Sequence, residues 1–235
     1  MDIQHLESVE AIYGVQLPEV YLRLCQDGLL KTGKYGSMWY GTYYAERLKH
    51  PTLLFLSNEF ELIQDNEIAE VAEWVNDDFS PEEFTCIPFA MSGAGDYYCV
   101  AYPKEDNDGV DPVVIYLPHD YNEYTYLAKN FVDFIFRHFL EALTDLSFFD
   151  LEDEKFSIQE ALHQSLLAHQ PYISEEQFEK LKEILAREIQ TFEDVHVLPK
   201  HTITNEYVGY LSKEEFKSII ESMIPFEFLD HEVSF

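Results

Sequence analysis

The residues best equipped for chemistry in this chain are a glycine loop, three cysteines, nine histidines and a large excess of carboxylates. Ser92-Gly93-Ala94-Gly95-Asp96 has the glycine content of a phosphate cradle. Phosphate loops, however, need a set glycine spacing, and neither GxGxxG nor GxxxxGK followed by Ser or Thr occurs. Asp96 also closes the loop with a charge that repels phosphate. A turn requiring positive φ, or a close backbone approach, is what these residues support. Ser92 stands in Met-Ser-Gly rather than in a GxSxG elbow. Cys25, Cys86 and Cys99 lie in apolar runs with no CxxC pair, which points to core packing rather than to thiolate chemistry or a zinc knuckle. HExxH is absent. His196 and His201 lie near Glu193 and Asp194, a grouping that could hold a metal but whose spacing matches no common zinc pattern. With 45 acidic residues, any carboxylate pair of the kind glycoside hydrolysis uses is uninformative. The expectation is a protein that is not an enzyme, with no catalytic residue, cofactor or metal. An unrecognised hydrolase or metal-binding protein is kept as an alternative.

The chain has 235 residues and a formal net charge of −30. A pI near 4.4 argues against nucleic acid, whose phosphates attract Lys and Arg, and against an anionic membrane surface. The natural partner of such a surface is cationic: a basic protein or a divalent metal. Solubility alone accounts for the charge equally well. Aromatic residues make up 15% of the chain, enough for a sizeable core and too many for wholesale disorder. The first ten residues lack the basic-then-apolar order of a secretory signal, and no run approaches the ~18 apolar residues of a membrane span. A cytoplasmic location is expected.

These residues need elements to place them. Ile3, Leu6, Val9 and Ile12 predict a helix over residues 2–13, stopped by Gly14. A second helix starts at Leu17-Pro18, buries Val20, Tyr21, Leu24 and Cys25, and ends at Gly28. Residues 31–57, with Trp39 and several tyrosines, read as a loop with one or two short strands, the clearest at Leu53–Leu56. Thr85–Phe89, Tyr97–Tyr102 and Val113–Leu117 read as strands, with SGAGD as the tight loop between the first two. A helix is expected from about Tyr126 to Leu143, and another from Ile158 to His169.

Ser174 and Ser212 open capping-box patterns, S-E-E-Q and S-K-E-E. In each, an apolar residue before the cap (Ile173, Leu211) can staple onto a phenylalanine (Phe178, Phe216). The stripe after Ser174 is expected to continue through Leu181, Leu185 and Ile189 to Phe192. One or two strands are expected within Val195–Val208, and Pro225 ends the last helix.

Residues 59–83 carry ten acids and no base. Between Asp65 and Val75, Ile68, Val71, Ala72 and Val75 share one helical arc, and Glu70, Glu73 and Asp77 the opposite one. Each like-charge neighbour pair costs an isolated helix about 0.2–0.5 kcal/mol. A sequence shaped for stability alone would interleave lysines. Either this is a solvated face in an acidic protein, or it is kept negative for a basic partner with Trp74 as an aromatic anchor. The candidate partner-binding residues are Glu70, Glu73, Trp74, Asp77, Asp78, Glu82 and Glu83.

Several features then fall into one order: Glu7 and Glu10 as E-x-x-E, Gly14 to Tyr21 as G-V-x-L-P-E-x-Y, Gly28, and Trp39. Ile87 to Tyr98 follows as I-P-F-A-x-S-G-A-G-D-Y-Y, then Val113 to Tyr116, His119-Asp120, and the helix from Ala128 to Ile135. Over residues 1–143 this resembles the Knr/Smi-type domain of the SUKH superfamily. The resemblance implies an α+β fold with a mixed, largely antiparallel sheet flanked by helices. It implies no catalytic residues. Leu17, Pro18, Tyr21, Trp39, Gly93, Gly95 and Asp96, which match the family motif, are expected to shape the fold. Bacterial members resemble immunity proteins that bind and block a polymorphic toxin, often a nuclease; fungal ones are regulators linked to the cell wall and signalling. Residues 144–235 depart from the family as an acidic, mainly helical extension expected to pack on the first domain.

The expectation for function is a bacterial immunity protein that blocks a basic toxin. A negative surface would steer it to the toxin cleft, and Trp74, Trp39 or an exposed tyrosine would supply the anchor. A non-catalytic regulatory scaffold binding a cellular protein is the alternative from another class.

Overall fold

Leu6 and Val9 recur on one face of α1 (Ile3–Tyr13) and are fully buried there. Gly14 ends the helix at φ +65°, a conformation that favours glycine. The description comes from a computed structural model and covers residues 3–33, 38–104, 112–149, 151, 157–197 and 202–235. In α2 (Glu19–Gln26), Pro18 is the N-cap, one position earlier than expected, and the four predicted apolar residues are buried. Residues 40–47 are helical rather than extended: a π-helical turn over Tyr40–Tyr44 runs into α3 (Ala45–Arg47).

No strand forms at Leu53–Leu56. The run is a turn with Leu54 at φ +52°, and Leu53, Leu54 and Leu56 are buried. Their apolarity reflects burial alone, which a turn can satisfy as well as a strand. The strand that does form is short, β1 (Glu61–Leu62), and α4 (Ile68–Asp78) follows with Ile68, Ala72 and Val75 inward.

The central strands match expectation: β2 (Phe84–Met91), β3 (Tyr97–Pro103) and β4 (Val113–Leu117). β2 shifts register between Pro88 and Ala90, a bulge that accommodates the proline. The helix expected from Tyr126 begins later. Residues Glu123–Ala128 form β5, and α5 (Phe131–Ala142) starts only after Asn130, whose side chain accepts the Asp133 N–H. Tyr124 and Thr125 have β propensity, and the cap at Asn130 sets the helix start.

The C-terminal part adds α6 (Ile158–His169), α7 (Glu175–Leu185), the hairpin β6 (Gln190–Val197) and β7 (Thr202–Gly209), α8 (Lys213–Met223) and β8 (Glu232–Ser234). Ser174 makes a full capping box with Gln177, and the Ser212 side chain accepts the Glu215 N–H. Ile189 and Phe192 do not extend α7. The helix ends at Leu185, and Phe192 lies on β6, stacked on Tyr207 of β7 at 5.5 Å.

The fold is α+β. The main sheet runs β1-β2-β3-β4-β5-β8 with every pairing antiparallel, and β6–β7 form a second sheet. α5 is buried on nearly all sides, so it needs cover from both the sheet and the C-terminal helices. Gln177 Nε2 donates to Asp133 Oδ1 at 2.8 Å, Arg137 pairs with Asp230 at 2.7 Å, and Tyr172 donates to Asp27 at 2.6 Å. Backbone bonds from Leu146 to Val208 and from Tyr210 to Leu143 tie in the second hairpin.

Candidate functional site

α4 presents its inward arc to the core, and this dictates what its outer arc shows. Glu70, Glu73, Asp77 and Asp78 are exposed on the helix, and Glu82 and Glu83 are exposed in the turn leading to β2. All six predicted carboxylates between Glu70 and Glu83 are therefore exposed. Among the described residues none of the six is within ion-pair distance of a base. Glu83 differs in accepting the Tyr124 hydroxyl at 3.0 Å, which ties it to β5. The Tyr13 hydroxyl of α1 titrates higher than usual, first through burial and then through the nearby charges of Glu73 and Asp77.

α7 provides a contrast within the same chain. Two of its acids are paired with bases: Glu179 with Lys182 at 2.9 Å, and Glu183 with Lys180 at 2.7 Å and with Arg187, just past the helix end, at 3.2 Å. Those exposed pairs each contribute little to stability, but they offset part of the helix's charge. α4 has no equivalent.

Trp74 is 47% exposed. It stands edge-on to Phe79 at 4.8 Å and to Tyr97 at 5.9 Å, so its ring is braced on two sides while a large part of it faces water. A ring already held in place loses little rotamer entropy on binding. Trp39 does not qualify as an exposed anchor. It is buried, its indole N–H donates to the Thr32 carbonyl at 3.0 Å, and Tyr44 and Phe55 pack against it.

The glycine loop is held from within. Ser92 N–H donates to the Asp96 carbonyl at 2.8 Å and Gly95 N–H returns to the Ser92 carbonyl at 3.1 Å, with Gly95 at φ +96°. Asp96 then gathers the neighbouring strand end. Its carboxylate accepts from the Tyr116 hydroxyl at 2.5 Å and from the His119 backbone N–H at 3.1 Å, and lies 2.8 Å from His119 Nδ1. Burial alone would raise the Asp96 carboxyl, but these hydrogen bonds outweigh it and hold it below the usual carboxylate range. Tyr116 is pushed up to about 12, first by burial and then by its bond to Asp96. The His119 imidazole is raised, chiefly by its bond to Asp96. Its other nitrogen lies 3.1 Å from Asp120, so both ring nitrogens face carboxylates. Ser92 Oγ donates to Asp96 at 3.3 Å rather than to the imidazole.

Two further motif residues, Leu17 and Tyr21, pack inside the fold. Leu17 is buried and its N–H donates to Glu10 Oε1 at 2.8 Å, linking the acid of E-x-x-E to the start of α2. Tyr21 is buried edge-on to Phe131 at 5.2 Å. Sequence reasoning missed Glu59, His119 and Tyr116 as partners of the glycine loop. Tyr116 and His119 carried a signal, in the Val113 to Tyr116 run and the H-D pair after it; Glu59 carried none.

Among the described residues no group of three or more His, Cys, Asp and Glu side chains is placed to hold a metal. His201 and the side chain of His196, which formed the one metal grouping considered, lie outside the described residues. No described helix is long and apolar enough to cross a membrane.

A family model described as SMI1 / KNR4 family (SUKH-1) matches residues 2–137. No curated protein and no solved structure matches the chain.

Proposed function

The chain belongs to the SMI1/KNR4 (SUKH-1) family, and on that premise we propose that it is a bacterial, cytoplasmic immunity protein that binds and blocks a basic toxin domain such as a nuclease. Family membership fits immunity or regulatory roles in general, exercised through binding a partner protein. The observation that carries the finer proposal is the contrast between two helices. α7 pairs two of its acids, Glu179 and Glu183, with bases, whereas α4 and the turn after it leave six carboxylates without an ion pair among the described residues, next to a braced, half-exposed Trp74. Such a face attracts a basic cleft at long range and raises the association rate more than the final affinity. Trp74 supplies the short-range anchor. We further propose that residues 1–143 form the binding domain and residues 144–235 an extension that braces α5 from behind.

The test is association with a toxin domain encoded beside this gene, followed by stopped flow at several salt concentrations. Reversing Glu70, Glu73 and Asp77 to Lys together should slow association about tenfold at low salt and flatten its salt dependence. Trp74→Ala should act mainly on dissociation. An unchanged association rate removes α4 from the interface. A partner that binds but loses none of its toxicity favours a regulatory role instead.

A further inference from the structure

The aromatic run before β1, the turn into β1 and the segment after α5 line a cavity of about 600 Å³ that is open to solvent on one side. Six aromatic rings line it among the described residues: Trp39, Tyr44, Phe55, Phe60, Phe148 and Phe149. Trp39, Tyr44 and Phe55 form a cluster with centroids 5.8–6.3 Å apart, and Phe148, 46% exposed, stands 4.0 Å from Phe149. Glu59 and Glu61 add two exposed carboxylates, and no described lining residue is basic.

Glu59 is positioned rather than loose. Its backbone sits at φ +53°, a left-handed conformation that costs a non-glycine residue about 1–2 kcal/mol. Its carbonyl accepts the Tyr98 hydroxyl at 3.1 Å, and its Oε2 accepts the Gly93 N–H at 2.7 Å. A Cβ on Gly93 would stand 2.9 Å from that oxygen, so glycine is what lets the backbone come this close. Oε1 accepts no hydrogen bond from a described residue.

Aromatic faces attract cations through their quadrupole, and a fixed carboxylate beside them supplies the opposite charge. Arginine suits this combination better than lysine, because its planar guanidinium both stacks on rings and forks onto a carboxylate. We propose that this cavity receives an arginine side chain from the basic protein partner, with the guanidinium against the ring wall and hydrogen-bonded to Glu59, and with Glu61 as a second charge. The volume exceeds one side chain and leaves room for the backbone that carries it. This rests on the proposed function for the class of partner alone, since no residue of α4 lines the cavity.

The chain has two tryptophans, so Trp74→Phe leaves Trp39 as the sole fluorescent indole. N-acetyl-arginine amide titrated into that variant should change Trp39 emission saturably. N-acetyl-citrulline amide, the same shape without the charge, should bind at least about tenfold more weakly. Adding Glu59→Gln, which keeps an acceptor for the Gly93 N–H, should cause a comparable loss with an unchanged melting temperature. The same titration of the unsubstituted chain, followed by its indole N–H resonances, should return the same dissociation constant. Equal binding of arginine and citrulline, no loss in the Glu59→Gln variant, or no saturation up to the solubility limit overturns the proposal. Because the probe needs no partner, such a failure leaves the α4 surface untouched, and an inert α4 would leave this cavity untouched.

Discussion

Nε2 of His169 accepts the backbone N–H of Leu54 at 3.0 Å, joining the C-terminal part of the chain to a turn 115 residues earlier. The opposite nitrogen, Nδ1, lies 2.6 Å from the Ser165 carbonyl and so carries the proton. The ring is fully buried and neutral, with burial pushing its pKa down to about 4. Leu54, at φ +52°, is thus held in an unfavoured conformation by a group from another part of the sequence.

This contact makes stability depend on pH in a stated direction. Unfolded, the imidazole takes a proton near 6.5; folded, it does so only near 4. Its contribution is complete above 6.5, declines as pH falls, and is gone near 4, a total on the order of 3 kcal/mol. Urea unfolding of wild type at about pH 7.5 and pH 5 should show most of this loss, about 2 kcal/mol. His169→Gln, neutral throughout, should lose measurably less between the same two points. Equal losses would place the titration elsewhere.

Asp96 and His119 should titrate as a linked pair. Asp96 is lowered, so its contribution is present above its ordinary 3.8 and disappears as pH falls through the folded value. His119 is raised, so its contribution is present below 6.5 and disappears as pH rises through the folded value. The loop is therefore tightest between 3.8 and 6.5. In Asp96→Asn the His119 ring should titrate lower, read by NMR. Stability in that window should drop, read by urea unfolding.

Gly209 should not tolerate alanine. A Cβ there would lie 2.2 Å from the Thr144 carbonyl oxygen, and backbone cannot swing aside as a side-chain end can. Gly209→Ala should cost about 3 kcal/mol or more and loosen the second hairpin, seen as faster amide exchange at Tyr210. Gly41, with nothing within 4 Å of its added Cβ, is the control and should change little.

Gln177 serves two partners. Its Oε1 accepts the Ser174 N–H at 2.9 Å and its Nε2 donates to the buried Asp133 at 2.8 Å. Gln177→Glu keeps the capping box but sets a carboxylate against Asp133. A loss above about 1 kcal/mol at neutral pH is expected, shrinking as pH falls and the pair takes up a proton. A variant as stable as wild type at pH 7 would show that the cap outweighs the contact.

Legibility followed the range of the cause. α1, α2, α6 and the starts of α7 and α8 could be read because periodicity, serine caps and glycine stops act within one or two turns. β2, β3 and β4 could be read because their β-branched and aromatic runs are bounded by turn residues. The acidic run of α4 was plain as well, since the missing lysines are a property of the chain itself. Leu53–Leu56 was misjudged because an apolar run reports burial and not backbone shape. Tyr126 was misplaced because β5 owes its existence to β4 on one side and β8 on the other, and β8 lies more than a hundred residues away.

By itself, then, the sequence determined local pieces: the helices α1, α2, α4, α6, α7 and α8, the serine caps at Ser174 and Ser212, that SGAGD is a turn, and that residues 59–83 lack a base. Tertiary structure alone decided which distant groups meet: His169 under Leu54, His119 on Asp96, Glu59 on Gly93, and six rings around one cavity. Local torsional preference and helical or strand periodicity are set by neighbours in the chain. Pairing of buried polar groups and rings is set by which surfaces fold together, and no short window of sequence contains that information.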